Sequence, residues 1–486
     1  MTRTRMLIGG LDVEAADGRW LPVYAPATGE LLAEVPRAGR ADVAAAAEAA
    51  AAAFDGWRRT PPAARGGLLT RVGDDLAACR EEIAVLLARE TGNAIRLQSR
   101  PEVRSAIDLL RYFGGTATEL KGETVPLGDG LLNFTTREPL GVVGAMTPWN
   151  APVQLSTVKV AAALATGNTV VIKVSEEAPL AVLAVAAIFN RHLPPGVLNV
   201  VTGLGGEAGA ALLAEPRIAK LSFTGSTVIG RMVMAAAADR VVPVSLELGG
   251  KSPSIVFPDA DDDVTADGVI ASMRFPRQGQ SCTAGSRLFV HESIFESFLA
   301  RVAEKAGRLV VGDPLDERTD IGSIINERQF GRVDRYVREA VDLGAEALTG
   351  GGRWTGSDQG FFYTPTVLTG VRHDWAAARE EIFGPVQVAI PWRTEDEVVA
   401  MANDSDYGLA GYVWSHDIDA ALRTAARLDA GWVQVNRGLG QLPGLSYGGV
   451  KASGIGREFS IEGAIDAFTH RKTTTIALRE RNLHVG

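Results

Sequence analysis

The feature that most constrains this sequence is an alternation of strand-like and helix-like segments that begins at Leu140. Short apolar runs rich in Val and bounded by Gly, Pro or Asn start at Leu140, Thr169, Val197, Lys220 and Val241. The first four are each followed by a helical segment, of which LAVLAVAAIFNRH is the clearest. Strands that are apolar on both faces and alternate with helices are typical of βαβ units in a parallel sheet. The pattern therefore predicts an open α/β domain.

A second alternation follows from Ser252, with the strand-like runs SPSIVF and RLFVH separated by the helical DDDVTADGVIASM. The chain has 486 residues, more than one hydrophobic core usually organises. We predict a first domain built from residues 1–120 and 141–247, with 450–466 packing back on it. We predict a second domain from residues 248–449.

Two extended segments belong to neither alternation. ETVPLGDGLLNFTTRE has a Gly-Asp-Gly turn between two arms, and HRKTTTIALRE near the end is Thr-rich. Such strands can complete a sheet across a subunit boundary, or pack as an edge hairpin within one chain. These segments span residues 121–140 and 467–486, and both arrangements remain open from the residues alone.

Composition excludes several classes of partner. The chain is 46% hydrophobic and 22% charged, with a net charge of −9, which offers no basic surface for nucleic acid or an anionic membrane. The Ala-rich stretch from Ala41 is interrupted by acidic residues and predicts a surface-packed helix. The six histidines show no close pairing, so no metal site is expected. Only two cysteines and no apolar leader indicate a cytoplasmic protein with free thiols.

The two cysteines differ in their surroundings. Cys79 lies on the apolar stripe of a helical pattern that ends at Gly92, as a structural cysteine does. Cys282 lies in the polar, Gly-rich loop GQSCTAGSR, and the nearby Arg277 and Arg287 favour the thiolate. Cys282 is therefore the candidate nucleophile, although no histidine is placed to make it a cysteine protease.

Two familiar motifs fail in context. GGKS at 249–252 lacks the earlier glycine of a phosphate-binding P-loop, since that position is Ser245 within a strand. GLSYG at 444–448 matches the serine-hydrolase elbow, but glycine-rich loop flanks it on both sides. We therefore do not expect Ser446 to be a nucleophile.

Three strand ends of the first domain suit a dinucleotide. Gly203, Gly205 and Gly209 form a Gly-rich turn one residue longer than the dinucleotide fingerprint, and FTGST places Gly225 and Ser226 before a helix. Lys173 and Glu176 follow the strand TVVIKV, where they are either surface charges or ribose ligands. In the second case Glu176 would repel a 2′-phosphate and favour NAD over NADP.

Seven motifs, taken in order, resemble the NAD(P)-dependent aldehyde dehydrogenase superfamily over almost the whole chain. They are TPWNAP (147–152), VIKVSEEAPL (171–180), FTGST (223–227), LELGGKSP (246–253), GQSCTAGSR (279–287), EEIFGPV (380–386) and GGVKASGIGRE (448–458). The resemblance implies a Rossmann-like cofactor domain, an α/β catalytic domain and a small β bridging element. It also implies a homodimer or homotetramer.

The resemblance implies a role for four catalytic residues. Cys282 would be the nucleophile, Glu247 the general base for thioester hydrolysis, and Asn150 an oxyanion donor, with Glu458 as a second carboxylate in proton relay. Glu247 indicates the hydrolytic branch and not the CoA-acylating one. A structural pairing of Glu247 with Lys251 is the alternative.

The implied cofactor is NAD, and its contacts follow from the same motifs. They are Trp149, Lys173, Glu176, Gly205, Gly209, Phe223, Gly225, Ser226, Leu248, Glu381 and Phe383. No metal is implied.

Two positions depart from the family pattern. Ala151 stands where many relatives carry an aromatic residue, and Ser446 and Tyr447 replace the usual Pro-Phe. We expect a roomier apolar tunnel for aromatic or bulky aldehydes, with no evident arginine cluster for a dicarboxylic semialdehyde. The alternatives are a thiol-dependent esterase or acyltransferase, and a non-catalytic NAD-binding protein.

Overall fold

The structure is a computed structural model that describes residues 2–478. The end of the predicted bridging segment, residues 479–486, lies outside the described residues. The strands are β1 (Met6–Ile8), β2 (Leu11–Val13), β3 (Trp20–Tyr24), β4 (Leu31–Pro36), β5 (Thr124–Pro126), β6 (Leu131–Pro139), β7 (Val142–Met146), β8 (Thr169–Lys173), β9 (Leu198–Val201), β10 (Ile218–Thr224), β11 (Val244–Glu247), β12 (Pro253–Val256), β13 (Arg287–His291), β14 (Glu346–Thr349), β15 (Thr366–Thr369), β16 (Val386–Trp392), β17 (Tyr407–Gly408), β18 (Ala410–Trp414), β19 (Trp432–Val435), β20 (Val450–Lys451), β21 (Gly454–Ile455) and β22 (Thr469–Ala477).

Fifteen α-helices connect these strands in the described part of the chain. They are α1 (Arg40–Arg59), α2 (Pro62–Ala78), α3 (Arg80–Thr91), α4 (Arg100–Thr116), α5 (Pro152–Ala165), α6 (Leu180–Asn190), α7 (Ala210–Ala214), α8 (Thr227–Arg240), α9 (Asp263–Ser272), α10 (Phe295–Gly307), α11 (Glu327–Asp342), α12 (Ala376–Arg379), α13 (Glu395–Asn403), α14 (Ile418–Arg427) and α15 (Ile461–Phe468).

The predicted parallel sheet is confirmed as the centre of an eight-stranded sheet with the order β2-β1-β9-β8-β7-β10-β11-β21. The five strands from β9 to β11 are parallel, and β21 from the returning segment adds antiparallel to β11. Successive side chains enter different cores, since Val143 and Ala145 pack on one face and Val142 and Met146 on the other. Both faces are therefore buried, as the continuous apolar runs predict.

Strand order reverses between β7 and β10, because the chain moves outward through β8 and β9 and then returns to the other side of β7. Ligands of open α/β sheets bind at such a switch point, beyond the carboxyl ends of the strands. The loops that follow β7 and β10 contain the predicted residues Trp149, Asn150, Gly225 and Ser226.

The second alternation forms a seven-stranded sheet with the order β14-β15-β16-β13-β12-β18-β19, parallel except for β14. A third sheet, β22-β6-β5, is antiparallel, and β22 pairs with β6 over nine residues. The two unassigned extended segments thus pair with each other within one chain. The division into domains at residues 120, 140, 247 and 449 stays a prediction.

One helical prediction differs from the structure. The apolar stripe from Leu69 to Leu86 is split between α2 and α3, because Cys79 leaves the helical conformation with φ −109° and ψ 19°. Cys79 still packs against the core, and Gly92 caps α3 in the left-handed region with φ 74°. The predicted Ala-rich helix is confirmed as α1.

Within residues 2–478, none of the helices combines the length and the apolar character that crossing a bilayer requires. The same residues contain no group of three or more His, Cys, Asp or Glu side chains arranged to hold a metal ion.

Candidate active site

Cys282 lies in a tight loop between α9 and β13, where the two large sheets meet. The amide Nδ2 of Asn150, in the loop after β7, donates to the carbonyl of Gln280 at 2.9 Å. Gly250, in the turn after β11, lies so close that a Cβ there would overlap the carbonyl oxygen of Cys282. Three predicted motifs that are far apart in sequence therefore converge on this thiol.

Two N–H groups beside the thiol remain available. Among residues 2–478, no acceptor takes the backbone N–H of Cys282. The Asn150 side chain carries two amide hydrogens and uses one on Gln280. Asn150 is buried, and its main-chain carbonyl accepts from the Asn93 amide at 3.4 Å, which holds the loop in place. Together the two N–H groups can bind a negatively charged oxygen next to the sulfur.

Arg277 lowers the pKa of Cys282, as predicted, but its effect is outweighed in the resting structure. Burial raises the pKa of Cys282 to about 11, and the charges of Glu381 and Glu247 raise it further than Arg277 lowers it. Arg287 turns away from the thiol and donates to the carbonyls of Lys251, Met401 and Ala402. At neutral pH the sulfur therefore carries its proton.

Tyr447 contacts the thiol, and the sequence gave no indication of this contact. Its phenol oxygen lies 3.6 Å from the Cys282 sulfur, and this hydrogen bond opposes the rise in the pKa of the thiol. The ring is buried between Trp432 and Phe459, with centroid distances of 5.6 and 5.4 Å. A packed aromatic wall therefore fixes the direction of the phenol oxygen.

Glu247, the last residue of β11, lies close to the same cluster. Both carboxylate oxygens are buried and have no hydrogen-bond partner among the described residues. Burial raises the pKa of Glu247 well above its usual value, and the charge of Glu458 adds to that rise. The structural alternative is not observed, because the ammonium of Lys251 is also buried without a partner in the described chain.

Glu458 belongs to a buried ion pair behind Glu247. The ammonium of Lys159, on α5, donates to Glu458 Oε1 at 2.5 Å and to Ser222 Oγ at 3.1 Å. The main chain of Glu458 pairs with Tyr447 in both directions, which connects the pair to the thiol's neighbour. Sequence reasoning missed Lys159, although a single lysine in the apolar helix PVQLSTVKVAAALA was a visible signal.

Lys173 and Glu176 form a partly buried pair at the end of β8, with Nζ and Oε2 2.6 Å apart. Burial alone would raise the pKa of Glu176, but the charge and hydrogen bond of Lys173 more than offset it and lower that pKa. The N–H of Gly205 also lies close enough to stabilise the carboxylate. The Gly-rich turn forms one π-helical turn that ends at Gly209. The Lys173–Glu176 pair and this turn thus lie at the same edge of the sheet.

The FTGST turn differs in one respect from the prediction. The Gly225 N–H is not free for a phosphate, because it donates to the carbonyl of Glu247 at 3.0 Å. The Ser226 hydroxyl caps α8 by accepting from Ile229 at 3.4 Å, so the first-turn N–H groups of α8 are the donors that remain. The Phe223 ring lies against Gly225, and Leu248 lies against Gly230 of α8, where a Cβ would overlap each side chain.

The second sheet contributes Glu381 and Phe383 to the opposite wall. Glu381 accepts from the Gly250 N–H at 3.1 Å, and burial raises the pKa of Glu381 to about 7. Phe383 has a positive φ of 58° and meets the Trp149 ring edge-on, with centroids 5.5 Å apart. These residues and those on the first sheet fit a dinucleotide, since they offer a carboxylate pair for ribose hydroxyls, helix N–H groups for phosphate and an aromatic wall.

A groove of about 1110 Å³ lies next to the Cys282 loop, and Ser281 and Thr283 on either side of Cys282 in the sequence line it. Contrary to the expectation of no arginine cluster, eight arginines line this groove. Ala151 is fully buried and does not line it, whereas Gln154, one turn along α5, does. The arginines come from three separate parts of the chain, which concealed the cluster in the sequence.

Comparison with known proteins agrees with this geometry. The model of the aldehyde dehydrogenase family matches residues 13–474. Phenylacetaldehyde dehydrogenase of Pseudomonas fluorescens is 43% identical over 483 residues, which cover 97% of this chain and 96% of that protein. An NAD+ complex of an aldehyde dehydrogenase from Bacillus cereus superposes with a TM-score of 0.96 at 37% identity, covering 98% of this chain and 97% of that chain. An NADP-dependent enzyme of E. coli superposes with a TM-score of 0.95 at 34% identity, covering 98% of each chain. This chain therefore belongs to the aldehyde dehydrogenase family and is an enzyme of that family.

Proposed function

We propose that this protein oxidises an aldehyde to a carboxylic acid through a covalent adduct on Cys282, with NAD as the coenzyme. The observation that carries the proposal is the convergence of the Cys282 sulfur, the free Cys282 N–H and the Asn150 amide at one point between the two large sheets. A thiol with oxyanion donors beside it suits attack on a carbonyl carbon.

In the first step the Cys282 sulfur gives its proton to solvent water and bonds to the aldehyde carbon, and the carbonyl π pair moves to the oxygen to give a thiohemiacetal anion. The oxygen that gains charge accepts hydrogen bonds from the Cys282 N–H and the second Asn150 N–H. Loss of one such donor costs about 10²–10³ in rate. NAD, when bound, accepts the hydride that converts the thiohemiacetal into a thioester.

Glu247 then acts as the base that removes a proton from the hydrolytic water. Its raised pKa makes it a stronger base than an exposed glutamate, and its oxygens, which have no partner among the described residues, can accept from a water molecule. Glu458 and Lys159 are placed behind Glu247 to take up or return that proton, which is the relay that we propose for Glu458. The thioester is released as a carboxylic acid.

Glu176 supports NAD as the preferred coenzyme. Its carboxylate is ionised, because Lys173 lowers the pKa, and it is held at the sheet edge where an adenosine ribose would lie. A negative charge there repels a 2′-phosphate. NADP is the second candidate, since the E. coli relative is described as NADP-dependent.

For the substrate, we propose aromatic or bulky aldehydes. Tyr447 lies beside the thiol and packs edge-on against Trp432, which is partly exposed, so an aromatic substrate would meet apolar, aromatic surroundings there. The name of the Pseudomonas relative, phenylacetaldehyde dehydrogenase, supports the same class.

The experiment that tests the function follows NADH formation at 340 nm with NAD and a panel of aldehydes. The native protein should form NADH, and Cys282→Ala should form none while keeping its circular dichroism spectrum and thermal midpoint. Cys79→Ala, the other cysteine, is the matched control and should keep the native rate. Ester hydrolysis by Cys282 without any NADH formation would instead support the esterase alternative.

We further propose a homodimer or homotetramer in the cytoplasm. Helix α8 exposes Val228, Ile229, Met232 and Met234, and the outer edge of β22 is unpaired within the described chain. Both cysteines are free thiols, which suits a reducing compartment. Light scattering should give two or four times the chain mass of 51.3 kDa, and the mass of a single chain would contradict the assembly.

A further inference from the structure

The groove beside Cys282 is strongly basic. Its lining contains eight arginines and three carboxylates, those of Glu81, Glu102 and Asp108. The protein as a whole has a net charge of −9, so this positive surface does not reflect the overall composition. A concave basic surface concentrates anions.

Ion pairing explains only some of these arginines. Arg96 pairs with Asp320, Arg111 with Asp74, and Arg100 with Glu81 and Glu317. Within residues 2–478, no carboxylate oxygen lies within 4.0 Å of the other five. These are Arg80, Arg104, Arg274, Arg277 and Arg437. The part of the groove that they line therefore carries positive charge that no close ion pair among the described residues offsets.

Arg277 is the innermost of the five, since it is five residues before Cys282 and is near enough for its charge to lower the pKa of the thiol. It is partly buried, whereas Arg104 and Arg437 are exposed at the mouth. The Gln98 amide, with its oxygen turned toward the guanidinium, accepts from Nε at 2.9 Å and from one Nη at 2.5 Å. A neutral amide thus orients the arginine without cancelling its charge.

Among the described residues, Glu102 is the carboxylate whose charge acts on Arg277, and it already accepts hydrogen bonds from the main chain. It is buried at 2% exposure, and its Oε1 accepts from the backbone N–H groups of Val153 and Gln154 at 3.0 and 3.3 Å, at the start of α5. Two of the five guanidinium N–H groups of Arg277 bind Gln98, and the other three have no acceptor among residues 2–478, so they can bind a ligand in the groove.

We propose that the groove binds a carboxylate of the substrate, with Arg277 as its main ligand and Arg437 at the mouth. The inference rests on the proposed function and narrows it: the preferred substrate is a bulky or aromatic aldehyde that carries a carboxylate away from the reacting carbonyl. A guanidinium forms two parallel N–H bonds to a carboxylate, and these charge-assisted bonds are stronger than neutral ones. The aldehyde end then lies at Cys282 and the acid end at Arg277.

The test compares kcat/KM for two probes of similar shape, 4-carboxybenzaldehyde and 4-methylbenzaldehyde. The native enzyme should prefer the carboxylated probe, and Arg277→Gln should reduce that preference by about ten- to a hundredfold, mainly through KM. Arg277→Lys should restore part of it. Arg335→Gln, which lies outside the groove and removes a pair with Glu339, is the matched control and should leave the preference unchanged.

A second measurement does not depend on the folding of the Arg277 variants. Raising the salt concentration should lower kcat/KM for 4-carboxybenzaldehyde and leave that for 4-methylbenzaldehyde nearly constant, and Arg437→Gln should weaken this salt effect. Equal use of both probes by the native enzyme, or an equal loss with both in Arg277→Gln, overturns the proposal while NADH formation still supports the function. No NADH from either probe or from any other aldehyde would contradict the function itself.

Discussion

The phenol oxygen of Tyr447 lies 3.6 Å from the sulfur of Cys282 and is the only side-chain hydrogen-bond partner of that thiol among residues 2–478. The contact joins the loop after β19 to the loop before β13, which are 165 residues apart in the chain. Burial and the charges of two nearby carboxylates raise the pKa of Cys282, and the hydrogen bond from Tyr447 lowers it by stabilising the thiolate.

Tyr447→Phe should therefore make the thiol less reactive. Removing a hydrogen bond to a charged sulfur should lower the thiolate fraction about tenfold at any pH below the pKa. The rate of alkylation by iodoacetamide in the free enzyme measures this. Tyr112→Phe is the control, because the Tyr112 hydroxyl accepts from the Ile461 N–H and does not contact the sulfur. An unchanged alkylation rate in Tyr447→Phe would show that the contact does not affect the thiol.

The pH dependence of alkylation tests the buried state of Cys282 directly. Because the pKa is raised to about 11, the thiol is protonated at neutral pH and loses its proton only as the pH rises. The alkylation rate of the free enzyme should then increase about tenfold for each pH unit from about 7 to about 10. A rate that levels off below about pH 8.5 would mean that the pKa of Cys282 is not raised.

Glu247→Gln should separate the two halves of the reaction. The amide cannot take a proton from water, but it leaves the thiol and its oxyanion donors in place. We expect a burst of about one NADH per active site followed by turnover about 10²–10⁴ times slower than native. Stopped-flow absorbance measures both phases. Loss of the burst would place Glu247 in the first step instead.

Substitution of Glu176 tests the coenzyme assignment. Glu176→Gln removes the negative charge beside Lys173, so the ratio of kcat/KM for NADP to that for NAD should rise about tenfold or more. Glu177→Gln is the matched control, since the neighbouring Glu177 accepts from Asn326 and should not change coenzyme choice. An equal ratio in the native and Glu176→Gln enzymes would contradict the ribose assignment.

The buried pair of Lys159 and Glu458 should matter for stability. Lys159→Met leaves the Glu458 carboxylate buried without its cation, which costs about 3–5 kcal/mol in the free energy of unfolding. The double variant Lys159→Met/Glu458→Gln should recover most of this loss, because no buried charge remains. Urea unfolding measures both variants. Equal stability of the single and double variants would show that the pair is not coupled.

Much of the fold could be predicted because local patterns determine it. Continuous apolar runs such as TVVIKV predict strands of a sheet that is covered on both faces. The structure confirms all five predicted strands of the first sheet. The sequence did not predict the break between α2 and α3, since the apolar stripe continues through Cys79 and only the backbone angle there interrupts the helix. The sequence predicted that the bridging segments are extended, but only the structure shows that they pair with each other, as β6 and β22.

The sequence by itself determined the α/β class and the strands of the first sheet, because strand and helix periods are local properties, and its motifs named Cys282, Asn150 and Glu247 through a resemblance. Only the tertiary structure decided how those residues affect one another. Burial outweighed the effect of Arg277 on the pKa of Cys282. The packing of distant segments brought Lys159 to Glu458 and gathered arginines from α3, α4 and the loops beside β13 and β19 into one groove. The physical reason is that pKa values and local potentials depend on distances in space and on exclusion of water, and neither can be read from positions along the chain.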